Sequence, residues 1–139
     1  MVIAFPYKGI NMSFEEAEIL RNRAEAFLEN AKRLAEEGVQ DLAAFNIEQY
    51  CQLILRYKLL IKTGTYPRAH SIIRLIRELS RISPDLQSIL EDADNMVHLT
   101  KIEDAFIGAR YLPRHYEESE VSSMLKFAEE VFKDLIGRV

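Results

Sequence analysis

The fold is decided by residues 41–63, which read DLAAFNIEQYCQLILRYKLLIKT. Apolar side chains recur here at helical spacing and occupy much of the helix circumference: Leu42, Phe45, Ile47, Tyr50, Cys51, Ile54, Leu55 and Leu59. A helix that is apolar on most sides is buried among other elements. We therefore predict a central helix that ends at the Gly64-Thr65-Tyr66-Pro67 turn.

The segments on either side of this helix predict an all-α protein. Ser13-Phe14-Glu15-Glu16 is a capping box that opens a helix to about Glu37, which Gly38 ends. Helical periodicity predicts four more helices, at about 71–80, 83–96, 101–110 and 120–136, with Ser71 and Ser83 as the N-caps of the first two. With short connections, these helices form an up-and-down bundle of four long helices plus one or two short ones. The domain is expected to span residues 13–139, after a leader at 1–12.

Composition narrows the functional classes. A chain of 139 residues with net charge −4 is one domain and is not basic as a whole, unlike many nucleic-acid binders. Its single cysteine, Cys51, excludes an internal disulfide and fits a reducing compartment. No apolar run reaches the roughly 20 residues that a membrane span requires. We expect a cytoplasmic protein that does not bind membranes.

Charge is concentrated in one part of the chain. Residues 54–81 hold seven Lys or Arg and one acid, a net charge of +6, whereas the remainder has a net charge of −10. His70, Arg74, Arg77 and Arg81 recur at four, three and four residues, so they share one face of the third helix. This stripe is either the solvated face of an amphipathic helix or a site for a polyanion or an acidic partner.

An arginine and a histidine lie five positions apart near the end of the fifth predicted helix. Pro113 prevents a continuous helix between Arg110 and His115, so the chain can turn and bring them together. An arginine beside a histidine, which titrates near neutrality, could act on a phosphodiester, because the arginine binds the phosphate and the histidine transfers a proton. The alternative is a helix C-terminus whose cations complement the helix dipole.

Metal and cofactor sites are not predicted. His70, His98 and His115 are far apart and lack metal-ligand spacing. The chain also lacks a glycine-rich phosphate-binding loop, because its five glycines are scattered. We expect neither a metal nor a cofactor.

Three segments together resemble the HEPN domain family. They are Asn46-Ile47-Glu48-Gln49 leading to Lys58, then Ala69-His70-Ser71-Ile72, then Asp104-Ala105-Phe106-Ile107-Gly108-Ala109-Arg110-Tyr111-Leu112-Pro113. Their order and spacing match the family pattern over about residues 13–136. The resemblance implies a four- or five-helix bundle that usually forms a homodimer.

The resemblance also implies two functions. In catalytic branches an Arg-x4–6-His motif from each subunit forms a metal-independent endoribonuclease site at the dimer cleft, often in toxin–antitoxin pairs. Arg110 and His115 have that spacing, which would give His115 proton transfer and Arg110 charge stabilisation. The Arg-Tyr-x-Pro form is typical of a branch encoded beside a minimal nucleotidyltransferase, which binds nucleotides or that partner. His70, Arg74, Arg77, Arg81, Tyr111 and Tyr116 are the candidate ligand-binding residues for RNA or a nucleotide.

Overall fold

A computed structural model describes residues 10–139, with side chains from Phe14 onward, and this part of the chain contains no strand. The helices are α1 (Ile10–Glu36), α2 (Gln40–Thr63), α3 (Ile72–Ser80), α4 (Gln87–Glu91, after a 3-10 turn at Pro84–Leu86) and α5 (Ala93–Tyr111). The C-terminal helix runs as α6 (Glu118–Lys126), a π-helical segment (Phe127–Phe132) and α7 (Lys133–Gly137). The prediction of an all-α bundle with four long and two short helices is confirmed.

The central position predicted for α2 is confirmed. This helix packs against α1, α3, α5 and the C-terminal helix. Ile47, Cys51 and Leu55 on it are completely buried, as an apolar circumference requires. Gly64 ends it in the left-handed conformation, with φ 84° and its N–H donating to the Leu60 carbonyl.

The helices predicted at 83–96 and 101–110 are wrong in their boundaries. Asp92 is extended (φ −86°, ψ 120°), and its side chain accepts a hydrogen bond from the Asn95 N–H at 3.0 Å. It therefore caps α5, which begins at Ala93 and continues unbroken to Tyr111. The helix is interrupted at Asp92, and the apolar periodicity does not indicate this N-cap.

The first helix also departs from its prediction. It begins at Ile10, so the start predicted at Ser13 is wrong by three residues, and the side chain of Ser13 lies outside the described residues. Most of the expected leader, residues 1–9, lies outside them as well. Gly38 ends α1 as predicted, with φ 81°. The buried face of α1 is formed by Ala17, Leu20, Ala24, Leu28 and Ala31, whereas Phe27 is only partly buried.

The start of α3 is fixed to α5. The Ser71 hydroxyl accepts from the Arg74 N–H at 3.1 Å, which confirms the predicted cap, and donates to Glu103 Oε1 at 2.5 Å. The same carboxylate oxygen accepts from the Ile73 N–H at 3.2 Å. These bonds set the position of the basic stripe relative to α5. By contrast, the Ser83 side chain, also predicted as a cap, makes no capping hydrogen bond.

None of the helices within residues 10–139 combines the length and the apolar composition needed to span a bilayer.

Candidate functional site

Arg110 lies on the surface at the last turn of α5, held against aromatic rings. Its Nε donates to the Phe106 carbonyl at 2.7 Å. Its guanidinium carbon lies 4.3 Å from the ring centre of Phe106, 4.6 Å from that of Tyr111 and 4.9 Å from that of Phe45 on α2. Rings at this distance attract the cation and restrict its motion. Because the bonded donor is Nε, the two terminal nitrogens can bind an anion in a bidentate manner.

His115 lies in the loop between α5 and α6, and its side chain is 91% exposed. Its Nδ1 is 3.4 Å from Asp41 Oδ2, while Asp41 Oδ1 accepts from the Tyr116 N–H at 2.8 Å. One carboxylate in the first turn of α2 thus binds the loop backbone and lies beside the imidazole. A carboxylate on Nδ1 fixes the orientation of an imidazole and leaves Nε2 for a substrate.

Arg110 and His115 meet the same face of α2. Arg110 contacts Phe45 and His115 contacts Asp41. These α2 residues are four positions apart, so they lie one turn apart on one side of the helix. The turn predicted at Pro113 therefore brings the two side chains to neighbouring positions on α2. Both of them are open to solvent.

A buried carboxylate lies behind Arg110. Glu48 on α2 is fully buried and accepts hydrogen bonds from the side-chain amides of Gln49 and Gln52, the first at 2.8 Å. Burial raises its pKa from 4.5 to about 7, and the hydrogen bonds and the positive charges of Arg110 and Arg56 oppose this rise. A carboxyl group with a raised pKa next to an exposed arginine is typical of functional sites.

The basic stripe is on the surface. Arg74, Arg77 and Arg81 are exposed on α3, opposite the buried Ile72 and Ile76. Arg81 contacts Glu78 at 3.5 Å, but its side chain stays 74% exposed, so this pair is weak. The predicted amphipathic arrangement of α3 is therefore present, with the arginines facing solvent. The placement of His70 on this helix is wrong, because α3 begins at Ile72 and His70 lies in the loop before the N-cap residue Ser71.

The Phe106 ring lies between His70, next to the basic stripe, and Arg110. The His70 ring stacks on Phe106, with centres 4.4 Å apart and planes 27° apart. Phe106 is the same residue that lies under the Arg110 guanidinium. The structure thus brings His70 and Arg110 together, although 40 positions separate them in the sequence.

The two candidate tyrosines differ in exposure. Tyr111 is 68% exposed beside Arg110. Tyr116 is buried, with its ring 3.8 Å from the Arg114 guanidinium and its hydroxyl against Gly108. It lines a cavity of about 870 Å³ between α5 and the start of α3, which His70 and Phe106 also border.

Comparison with known families decides the class of the protein. Residues 17–138 match the HEPN domain. The chain belongs to the HEPN domain family. No curated protein matches it.

Membership in the HEPN family confirms the resemblance seen in the three sequence segments. The sequence does not identify two residues of this HEPN chain, Asp41 and Phe45, as members of the candidate site. A third, Glu48, was noted only as part of a family segment. Each lies on α2 more than 60 positions from the residue that it faces, and no local pattern reports such a contact. Within residues 10–139, no group of three or more His, Cys, Asp or Glu side chains is arranged to hold a metal ion.

Proposed function

We propose that this HEPN domain is a metal-independent endoribonuclease in which Arg110 and His115 cleave the RNA backbone. The observation that carries the proposal is the seating of both exposed side chains one turn apart on α2, against Phe45 and Asp41. An arginine and a histidine in neighbouring positions are sufficient for phosphodiester transfer to an adjacent hydroxyl.

The chemistry assigns one role to each side chain. His115 Nε2 removes the proton from the ribose 2′-hydroxyl, whose oxygen then bonds to phosphorus. Arg110 stabilises the charge that builds on the phosphate oxygens. The bond from phosphorus to the 5′-oxygen breaks, that oxygen takes up a proton from water, and a 2′,3′-cyclic phosphate remains. Asp41 orients His115 and stabilises the imidazolium that forms.

A homodimer is part of this proposal. Large apolar side chains are exposed around the pair: Leu42, Ile107, Tyr111 and Leu112. Clusters of exposed apolar residues mark interaction surfaces. A second copy covering them would enclose Arg110 and His115 in a cleft, as in the catalytic members of the family. Sedimentation of the wild-type chain should give a dimer at micromolar concentration, and Tyr111→Asp should shift it toward monomer.

The test of catalysis is cleavage of single-stranded RNA in EDTA, with the new ends identified by mass spectrometry. Arg110→Ala and His115→Ala should each lower kcat/KM by about 100-fold or more. Asp41→Asn, which keeps an acceptor for the Tyr116 N–H, should give a smaller loss. Arg138→Ala removes an exposed arginine paired with Asp134 and is the matched control, with unchanged activity expected. Wild-type activity in either of the first two variants would contradict the proposal.

A second function is supported by the exposure of the basic stripe. The domain would then bind a nucleotide or a minimal nucleotidyltransferase through His70, Arg74, Arg77 and Arg81, without cleaving RNA. This function predicts no cleavage product in EDTA. It also predicts salt-sensitive binding that Arg74→Glu with Arg77→Glu weakens.

A further inference from the structure

Two rings link Arg110 to the residues that precede α3. Arg110 lies over Phe106, Phe106 stacks on His70, and His70 lies in the loop directly before Ser71, the N-cap of the helix that carries the exposed Arg74 and Arg77 and ends at Arg81. From Arg74 to Arg81 the stripe follows the helix for about 10 Å. We call this surface, with His70, Phe106, Arg74, Arg77 and Arg81 as its members, the α3 track.

The α3 track is held at a fixed position relative to the pair. Glu103 on α5 accepts hydrogen bonds from the Ser71 hydroxyl and the Ile73 N–H at the start of α3. Arg56 on α2 donates to the Ala69 carbonyl just before it, at 3.0 Å. Arg110 and the start of α3 are therefore anchored to the same two helices, which gives a bound strand one defined path.

The geometry points to the α3 track as the binding site for the single-stranded RNA that flanks the cleaved phosphate. This inference rests on the proposed ribonuclease function and names its substrate as an extended strand rather than a mononucleotide. The arginines bind successive phosphates, and the exposed His70 ring offers a surface for a base where the strand passes from α3 to Arg110.

The aromatic members of the track favour RNA over an acidic protein surface. Stacked rings interleaved with arginines are the combination that binds single strands without strict sequence preference. An acidic protein partner would use the arginines but would have no reason to need the His70 ring. The contribution of His70 therefore separates the two occupants.

Two probes and two charge-matched variants test the inference. The probes are the dinucleotide UpU and a fluorescein-labelled decauridylate, whose 2′-O-methyl form binds without being cleaved. Arg74→Glu with Arg77→Glu reverses two charges of the track. The control variant, Arg23→Glu with Lys126→Glu, also reverses two exposed charges. These lie on α1 and α6, whereas α3 packs against α2, α4 and α5. Arg74→Ala with Arg77→Ala is the milder version, and circular dichroism verifies the fold of each variant.

Binding of the 2′-O-methyl decauridylate, measured by fluorescence anisotropy, should weaken at least tenfold in the track variant and less than twofold in the control. The slope of log K against log salt concentration should fall by about 1.4, because two phosphate contacts are lost. His70→Ala should weaken binding roughly fivefold or more through lost stacking. Unchanged binding in the track variant overturns the inference. A loss with the arginine changes but none with His70→Ala also overturns it, because charge alone would then account for the binding and nothing would favour RNA over another polyanion.

Cleavage separates this inference from the function on which it rests. The track variant should lose at least ten times more kcat/KM on decauridylate than on UpU, because UpU is too short to reach α3. Equal losses on the two substrates overturn the inference while the ribonuclease function stands. If the wild-type chain cleaves neither substrate but the track variant still loses decauridylate binding, the ribonuclease function fails and the RNA track stands.

Discussion

The two halves of α2 differ in the kind of side chain that they bury. From Gln40 to Gln52 the helix buries three polar side chains, Asn46, Glu48 and Gln52, whereas the buried side chains from Leu53 to Thr63 are all aliphatic. Burying a carboxyl group lowers stability unless it is neutral or well bonded. The half with buried polar groups is the one that Arg110 and His115 contact, through Phe45 and Asp41. Polar burial in this fold therefore coincides with the candidate site.

The largest effect is expected in the aliphatic half. Leu55 is completely buried, so Leu55→Ala should lower the free energy of unfolding by about 2–5 kcal/mol, through lost burial and a new cavity. Urea denaturation measures this loss. Phe27→Ala should cost less, because Phe27 is only partly buried. A near-neutral result for Leu55→Ala would mean that this half of α2 is not the core.

In the polar half, Glu48 should make stability depend on pH. Its pKa is about 7 in the folded chain and near 4.5 when exposed. As the pH rises, the unfolded chain therefore ionises first, and stability falls from about pH 4.5 until it levels above about pH 7. The full difference is about 3 kcal/mol. Glu48→Gln keeps a neutral side chain and should remove this fall.

The measurement compares urea denaturation of wild type and Glu48→Gln at pH 5 and at pH 8. The variant should gain stability over wild type at pH 8 and differ much less from it at pH 5. Glu130→Gln, at an exposed position on the C-terminal helix, is the matched control and should follow wild type at both values. Parallel pH profiles for Glu48→Gln and wild type would show that burial of the carboxyl group is not a cost.

The helices were predictable because each depends on neighbouring residues. The apolar periodicity of residues 41–63 gives α2 its length and its central place, and Gly38, Gly64 and Ser71 mark ends that local backbone chemistry dictates. Asp92 was missed because an aspartate in an acidic stretch looks the same whether it caps a helix or is solvated on its surface.

Only the part of the candidate site formed by residues 110–115 could be predicted from the sequence. Arg110, Pro113 and His115 are close in sequence, so a turn between them can be inferred. Phe45 contacts Arg110, Asp41 contacts His115, and the charge of Arg110 acts on Glu48, because α2 packs against α5 and the loop that follows it. No local spacing encodes that packing. The stacking of His70 on Phe106 is hidden in the same way, because it depends on where the Glu103 carboxylate anchors α3.

A smaller effect on stability is expected at Asp41, where the polar half of α2 binds the loop between α5 and α6. Asp41→Ala removes the acceptor of the Tyr116 N–H and should lower the free energy of unfolding by about 1–2 kcal/mol. Asp41→Asn retains an oxygen acceptor and should recover most of this loss. Hydrogen exchange of the Tyr116 amide reports the bond directly, and protection that is unchanged in Asp41→Ala would show that the loop does not depend on α2.

The smallest effect is expected in α3, which packs on α2 through aliphatic side chains. Ser71→Ala removes the cap of α3 and should lower the free energy of unfolding by about 1 kcal/mol, measured by urea denaturation. Ser71→Thr keeps the hydroxyl and should stay close to wild type, so an equal loss in both variants would indicate packing rather than capping. Because aliphatic packing on α2 holds α3 in place, loss of the cap should loosen only its first turn. A loss larger than that of Asp41→Ala would mean that the hydrogen bonds to Glu103, and not the aliphatic contacts, hold α3 against the bundle.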